Sequence, residues 1–276
     1  MIGFVTDSNA QLPAELVERY TVEVVPLTVT IDGTPYLEGV DIDADGFYAR
    51  FESGRPEVST SQPSPGQFSE AYARVASRGV DEILSVHVGS AVSGTINAAR
   101  LAAQSAVRKV RLVDTGTASF GVACCLWEAA EAVAAGASLE DAAEVAEQVA
   151  STVANIFIVE ALDLVRAGGR LSPDTRIGDA IPVLRLVNGV VETVGEARDP
   201  DDAADVMASF VQAWGTALRV GVGVAAAGTR PLGDALASRL ADAAEVLEVV
   251  RYRVGPSVGV HTGPGSVGAC YYPSTS

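Results

Sequence analysis

Short apolar runs alternate with helical patterns through the first half of the chain. Residues 2–6 form an apolar run that ends in Asp7-Ser8-Asn9, and residues 13–20 read as the helix behind it. Residues 22–31, Asp32-Gly33 and residues 34–37 predict a hairpin, because Asp-Gly between β-prone runs favours a tight reversal. With a helix over 44–51, this makes a small excursion from the main sheet. Strand 83–88, helix 94–105, strand 110–113 and helix 120–135 follow, and Ser138-Leu-Glu-Asp141 resembles a capping box that opens a further helix. Strands alternating with helices imply right-handed crossovers and a parallel sheet. Ligands collect where the loops leave the carboxyl ends of such strands, so Asp7-Ser8, Ser93-Gly94 and Asp114-Thr115 are expected to be neighbours. Helix starts at that edge direct N–H groups outward, and an anion is the expected guest.

The pattern changes after Asn155. Residues 156–159 are β-like, 162–167 make one or two helical turns, and Gly168-Gly169 breaks them. Residues 183–187 and 190–194 flank Asn188-Gly189, a two-residue hairpin signal that brings in antiparallel strands. Helices near 202–214 and 231–244 alternate with strands 218–224 and 246–252. The fold class is therefore α/β in two domains: an N-terminal Rossmann-like parallel-sheet domain over 1–155, with the hairpin excursion at about 22–40, and a C-terminal α/β domain with a mixed sheet over 156–276.

Two stretches place hydroxyls at helix starts. In Val58-Ser-Thr-Ser-Gln-Pro-Ser-Pro-Gly-Gln-Phe68, Ser64 reads as an N-cap, Pro65 as the first helical residue and Gln67 as its capping-box partner. Thr60 and Ser61 then sit in a loop just upstream. In the run from Val86 to Asn97, Ser93-Gly94 opens a second helix after a Gly/Ser turn. By themselves, such hydroxyls are also what ordinary strand-to-helix connections use to satisfy backbone groups.

Composition narrows the partners. With 276 residues and 48% hydrophobic content the chain can bury a sizeable core. A net charge of −16 argues against nucleic acid and against anionic lipid surfaces. No apolar run approaches the roughly 18 residues needed to span a bilayer, and the first residues lack a secretory pattern, so a cytoplasmic protein without stable membrane insertion is expected. Three cysteines, two of them adjacent, read as core fillers rather than a disulfide framework. Two histidines far apart, and no paired cysteines at ligand spacing, supply no transition-metal set.

Four motifs in order resemble the DegV family of bacterial fatty-acid-binding proteins. They are Thr60-Ser61-Gln62-Pro63-Ser64-Pro65-Gly66, Ser93-Gly94-Thr95, Arg166-Ala-Gly-Gly-Arg-Leu-Ser172 and His261-Thr262-Gly263-Pro264-Gly265. The resemblance runs from Val5-Thr-Asp-Ser8 to Gly268. It implies a long-chain fatty acid as ligand, without a cofactor or metal and without turnover. Its carboxylate would be held by Thr60, Ser93 and His261, with Ser61 and Gly94 beside them. It also implies a separate ATP-dependent fatty-acid kinase as partner, which phosphorylates the bound acid to an acyl phosphate for phospholipid synthesis. Arginines matching Arg170 and Arg198 help dock that kinase in the family. Ile181, where many relatives have lysine, and Asp199-Pro-Asp-Asp202, in place of a commonly basic run, depart from the family pattern.

The physics of such a ligand is consistent. Each buried methylene contributes about 0.8 kcal/mol, so a chain of about fourteen supplies on the order of 10 kcal/mol as an upper bound. Removing a carboxylate from water costs several kcal/mol unless its oxygens are paired. The competing reading is a hydrolase or transferase that uses the same Ser/Thr-lined cleft. Gly89-Ser-Ala-Val-Ser-Gly94 is not a G-x-S-x-G elbow, however, and His87 reads as structural. Gly263-Pro-Gly-Ser-Val-Gly268 matches G-x-G-x-x-G, yet only the last eight residues follow it, too few for a dinucleotide fold's helix.

Overall fold

The computed structural model describes residues 1–159, 162–167, 169 and 180–274. The chain opens with β1 (Ile2–Asp7), α1 (Ala14–Tyr20) and β2 (Glu23–Val25). Residues 22–31 do not form one arm of a hairpin. Pro26, which has no N–H for a ladder, separates β2 from β3 (Thr28–Ile31). β2 pairs in parallel with β1, whereas β3 pairs antiparallel with β4 (Thr34–Leu37). After α2 (Ala44–Ala49), β5 (Val58–Ser61) adds to the other side of β3 with Val29 opposite Thr60. Thr60 and Ser61 therefore lie in a strand of a three-stranded sheet and not in a loop, and the excursion reaches past residue 40.

The next segments follow the alternation. These are α3 (Pro65–Ser77), β6 (Glu82–His87), α4 (Thr95–Ala103), β7 (Lys109–Asp114), α5 (Phe120–Ala134) and α6 (Leu139–Thr152). Strand order in the parallel sheet is β2-β1-β6-β7. The capping box at α3 is complete: Ser64 Oγ accepts from Gln67 N–H at 3.3 Å, and Gln67 Oε1 accepts from Ser64 N–H at 2.9 Å. Ser138 and Asp141 do the same for α6. On α3, Phe68, Ala71, Tyr72 and Val75 turn one buried stripe to the sheet. α5 is buried through Phe120–Ala130, with Cys124 and Cys125 in its core and no disulfide.

A six-stranded mixed sheet follows. It contains β8 (Ala154–Ile158) and, after α7 (Leu162–Ala167), β9 (Ile181–Val187) and β10 (Val190–Ala197). Then come α8 (Pro200–Gln212), β11 (Leu218–Val224), α9 (Arg230–Ala241), β12 (Val246–Arg253), α10 (Pro256–Thr262) and β13 (Val267–Pro273). Asn188 and Gly189 both have positive φ, 50° and 81°, as a two-residue hairpin turn requires. β13, for which the apolar pattern offers no warning, runs antiparallel to both β8 and β11 in the order β10-β9-β8-β13-β11-β12.

One hydrophobic cluster joins the two sheets, drawing Phe4, Val86 and Phe120 together with Val254, Val260 and Tyr272. Buried polar groups fix the same interface. The Tyr272 hydroxyl donates to the Glu128 carboxylate at 2.9 Å, and Arg219 pairs with that same carboxylate. The carboxyl ends of β1, β6 and β7 meet as expected: Val88 N–H donates to Asp7 Oδ2 at 3.1 Å and Ser90 N–H to Asp114 Oδ1 at 3.0 Å. Two donors at that edge, Val88 N–H and Ser90 N–H, are thus engaged by the chain's own carboxylates.

Candidate functional site

α10 brings His261 to Thr60. Pro256 opens the helix, Gly263 ends it with φ 77°, and His261 lies in its last turn. α2 holds this segment from the other side, since the Tyr48 hydroxyl donates to Val254 C=O at 3.0 Å. His261 Nε2 then lies 3.4 Å from Thr60 Oγ1 on β5, the long end of hydrogen-bond reach. Residues 201 positions apart thereby form one polar pair.

Ser93 and Gly94 adjoin the same strand through Gln62. A Cβ on Gly94 would come within 2.0 Å of Gln62 Oε1, so glycine is what lets the Gln62 side chain lie across the start of α4. Ser93 Oγ sits 2.9 Å from Thr95 Oγ1 and accepts from Thr95 N–H at 3.3 Å. Ser61 differs. Its side chain is exposed, and strand alternation turns it to the opposite face of β5 from Thr60.

His261 lines a cavity of about 130 Å³ whose wall also includes Val92, Ala118, Phe157, Val191 and Val258, whereas Thr60, Ser93 and Gly94 are not among its lining residues. Among the described residues, no carboxylate, guanidinium or ammonium lines it. Polar groups in the wall are turned onto one another. Asn9 Oδ1 accepts from Ser119 N–H at 2.9 Å, Asn155 Oδ1 from Leu186 N–H at 2.7 Å, and Thr262 Oγ1 lies 2.9 Å from Ser266 Oγ. Burial pushes the Cys270 thiol in this wall up to about 11 and raises the Tyr252 phenol, so both stay neutral at pH 7. The wall is thus largely apolar and free of ionic side chains among its described residues, with the His261 imidazole as a polar group in it.

A larger cleft of about 670 Å³ contains none of the motif residues. Glu38 in its wall is buried and accepts from Ser257 N–H at 2.8 Å and from the Ser8 hydroxyl. Burial raises its carboxyl above the usual range, against the lowering effect of those hydrogen bonds.

An acid–histidine pair that sequence reasoning missed lies in the first sheet. His87 Nδ1 is 2.9 Å from Asp7 Oδ2, and His87 Nε2 is 2.6 Å from Ser85 Oγ. Ser-x-His on one strand puts both side chains on one face, and β1 beside β6 supplies the acid; those are the signals that could have found it. The arrangement resembles a nucleophile triad, but all three residues are 0% exposed, Tyr72 OH covers Ser85 Oγ at 3.0 Å, and the three line neither cavity. It ties β1 to β6, the structural role expected of His87.

Of the arginines, Arg170 lies outside the described residues. Arg198 is exposed at the start of α8, its guanidinium held by Asp202 through Nε at 3.1 Å and Nη2 at 2.7 Å. The Arg198 guanidinium and backbone N–H lower the Asp202 carboxyl to about 2.

A family model described as "Uncharacterised protein, DegV family" matches residues 1–274. The chain belongs to the DegV family. A DegV domain-containing protein of Streptomyces coelicolor is 36% identical over 274 residues, covering 97% of this chain and 96% of that one. One of Deinococcus radiodurans is 34% identical over 280 residues, covering 99% and 98%. Among solved structures, a fatty-acid-binding DegV family protein of Thermus thermophilus superimposes with a TM-score of 0.85 at 31% identity, covering 99% of each chain. DegV of Bacillus subtilis, described as a fatty acid binding protein, gives 0.87 at 26% identity, again covering 99% of each. These DegV structures share the α/β architecture of a parallel and a mixed sheet. Among the described residues, no helix is long and apolar enough to cross a membrane, and no His/Cys/Asp/Glu cluster could hold a metal ion.

Proposed function

We propose that this protein binds a long-chain fatty acid between two domains that divide near residue 155, with the tail entering by the apolar cavity beside His261 and the carboxylate at Thr60, Ser93 and His261. The observation that carries the reading is the cavity's character: a wall without carboxylate, guanidinium or ammonium among the described residues that includes His261, whose Nε2 lies 3.4 Å from Thr60 Oγ1. The fatty-acid-binding relatives from Thermus thermophilus and Bacillus subtilis support it.

The protein is a cytoplasmic carrier without turnover of its own. It presents the acid to a separate ATP-dependent kinase, whose acyl-phosphate product enters phospholipid synthesis, and Arg170 and Arg198 contribute to docking. Neutral donors suit this handover. Hydroxyls orient a carboxylate while leaving one oxygen free to attack a phosphoryl donor, whereas an arginine fork would hold both oxygens. The test is transfer of the γ-phosphate of ATP to bound palmitate or oleate with a cognate kinase. Ser93→Ala and Thr60→Ala are expected to lower binding and transfer, and wild-type behaviour in both variants would overturn the assignment.

A further inference from the structure

Tyr252 is the one described residue that lines both the His261 cavity and the larger cleft. Its ring is held from several sides. It stacks on Phe120, the first residue of α5, with centroids 4.6 Å apart and planes inclined by 13°. Its hydroxyl lies 3.3 Å from Ser119 Oγ. On the neighbouring strand β11, a Cβ at Gly223 would come within 2.3 Å of Tyr252 Cζ, and one at Gly221 within 2.2 Å of Phe120 Cδ1. Two glycines thus make room for two stacked rings, and the side chain is only 8% exposed although it walls an open cleft. Tyr252 thus stands between about 130 Å³ on one side and about 670 Å³ on the other.

We infer that Tyr252 sets the upper limit of acyl-chain length, an inference that rests on the fatty-acid reading above. α10 begins just after β12 and carries His261 about 8 Å along its axis from Pro256, at a rise of about 1.5 Å per residue. The acid end and the ring therefore stand towards opposite ends of that helix. A chain anchored at His261 extends towards the ring, and the Phe120–Tyr252 stack stops it. Beyond the ring, the cleft offers Leu12, Val222 and Val224 as apolar surface within a wall that also carries charged groups such as Glu38, Arg230 and Asp234. Without the ring, each further methylene buried there tightens binding by about fourfold.

The experiment compares wild type, Tyr252→Phe, Tyr252→Leu and Tyr252→Ala, each stripped of lipid and equilibrated with an equimolar series of saturated acids from myristic to behenic. Circular dichroism checks the fold, and native mass spectrometry reads the bound acids. Tyr252→Leu keeps apolar bulk at the site and serves if the alanine variant does not fold. The phenylalanine variant is expected to keep the wild-type profile. The leucine and alanine variants are expected to shift towards arachidic and behenic acids, with the behenic-to-palmitic ratio raised by at least about tenfold. Folded variants that carry the wild-type profile would overturn the inference and leave the fatty-acid reading standing. A wild type that takes up no acid at all would overturn both.

Discussion

Thr60→Val tests how the carboxylate is held. The substitution keeps the shape of the side chain and removes one hydroxyl, while the apolar wall is untouched. A hydrogen bond to an ionised group contributes about 1.5–3 kcal/mol, so the variant is expected to bind palmitate roughly 10- to 150-fold more weakly. The methyl ester of the same chain carries no charge and should lose only about 1 kcal/mol, or about fivefold. In the free protein Thr60 Oγ1 lies 3.4 Å from His261 Nε2, a long contact, so the unliganded variant should unfold within about 0.5 kcal/mol of wild type. Titration calorimetry on lipid-free protein gives the two affinities, and urea unfolding gives the stability. Equal losses for acid and ester would refute the reasoning, as would a stability loss large enough to explain the change in binding.

Glu38 makes stability depend on pH. Burial raises its folded-state pKa, so its contribution is full below the unfolded carboxylate value and is lost as pH rises through the raised folded value. Glu38→Gln is expected to remove that part of the fall in Tm with pH, and an unchanged slope would contradict it. Ser85→Ala removes the hydroxyl that faces both His87 Nε2 and the Tyr72 hydroxyl and should cost about 1–3 kcal/mol in urea unfolding while fatty-acid affinity stays the same. An esterase activity that disappears with Ser85 would instead make Asp7, His87 and Ser85 a working triad rather than a structural tie. Gly268→Ala would place a Cβ 2.6 Å from Phe157 Cβ and 2.7 Å from Ile156 C=O in the middle of the mixed sheet, an overpacking expected to cost about 1–3 kcal/mol. An unshifted denaturation midpoint would show that β8 and β13 can move apart.

Local chemistry was legible where one stretch of chain decides its own conformation. The capping box at Ser64 and the Asn188-Gly189 turn are such cases, and both form as their residues dictate. Pro26 carried a break that its β-prone neighbours masked, which is why β2 and β3 read as one arm. β13 was missed because its run combines Gly268, Ala269 and Cys270 with paired tyrosines, and its place is set by partners more than a hundred residues earlier in β8 and by β11. At the site, the motif residues were nameable, but the meeting of Thr60 with His261 depends on how α10 packs against α2, β3 and β5, and the shared wall at Tyr252 on where β12 leads into it. That is a tertiary fact with no periodicity of its own.

The central claim is tested most directly by a crystal structure of the protein with the acid that co-purifies from its own cells. The account predicts an acyl chain in the His261 cavity with its carboxylate within hydrogen-bond reach of Thr60 and His261. An acid bound in the larger cleft, or a chain in the His261 cavity with its carboxylate at the Tyr252 end, would contradict it.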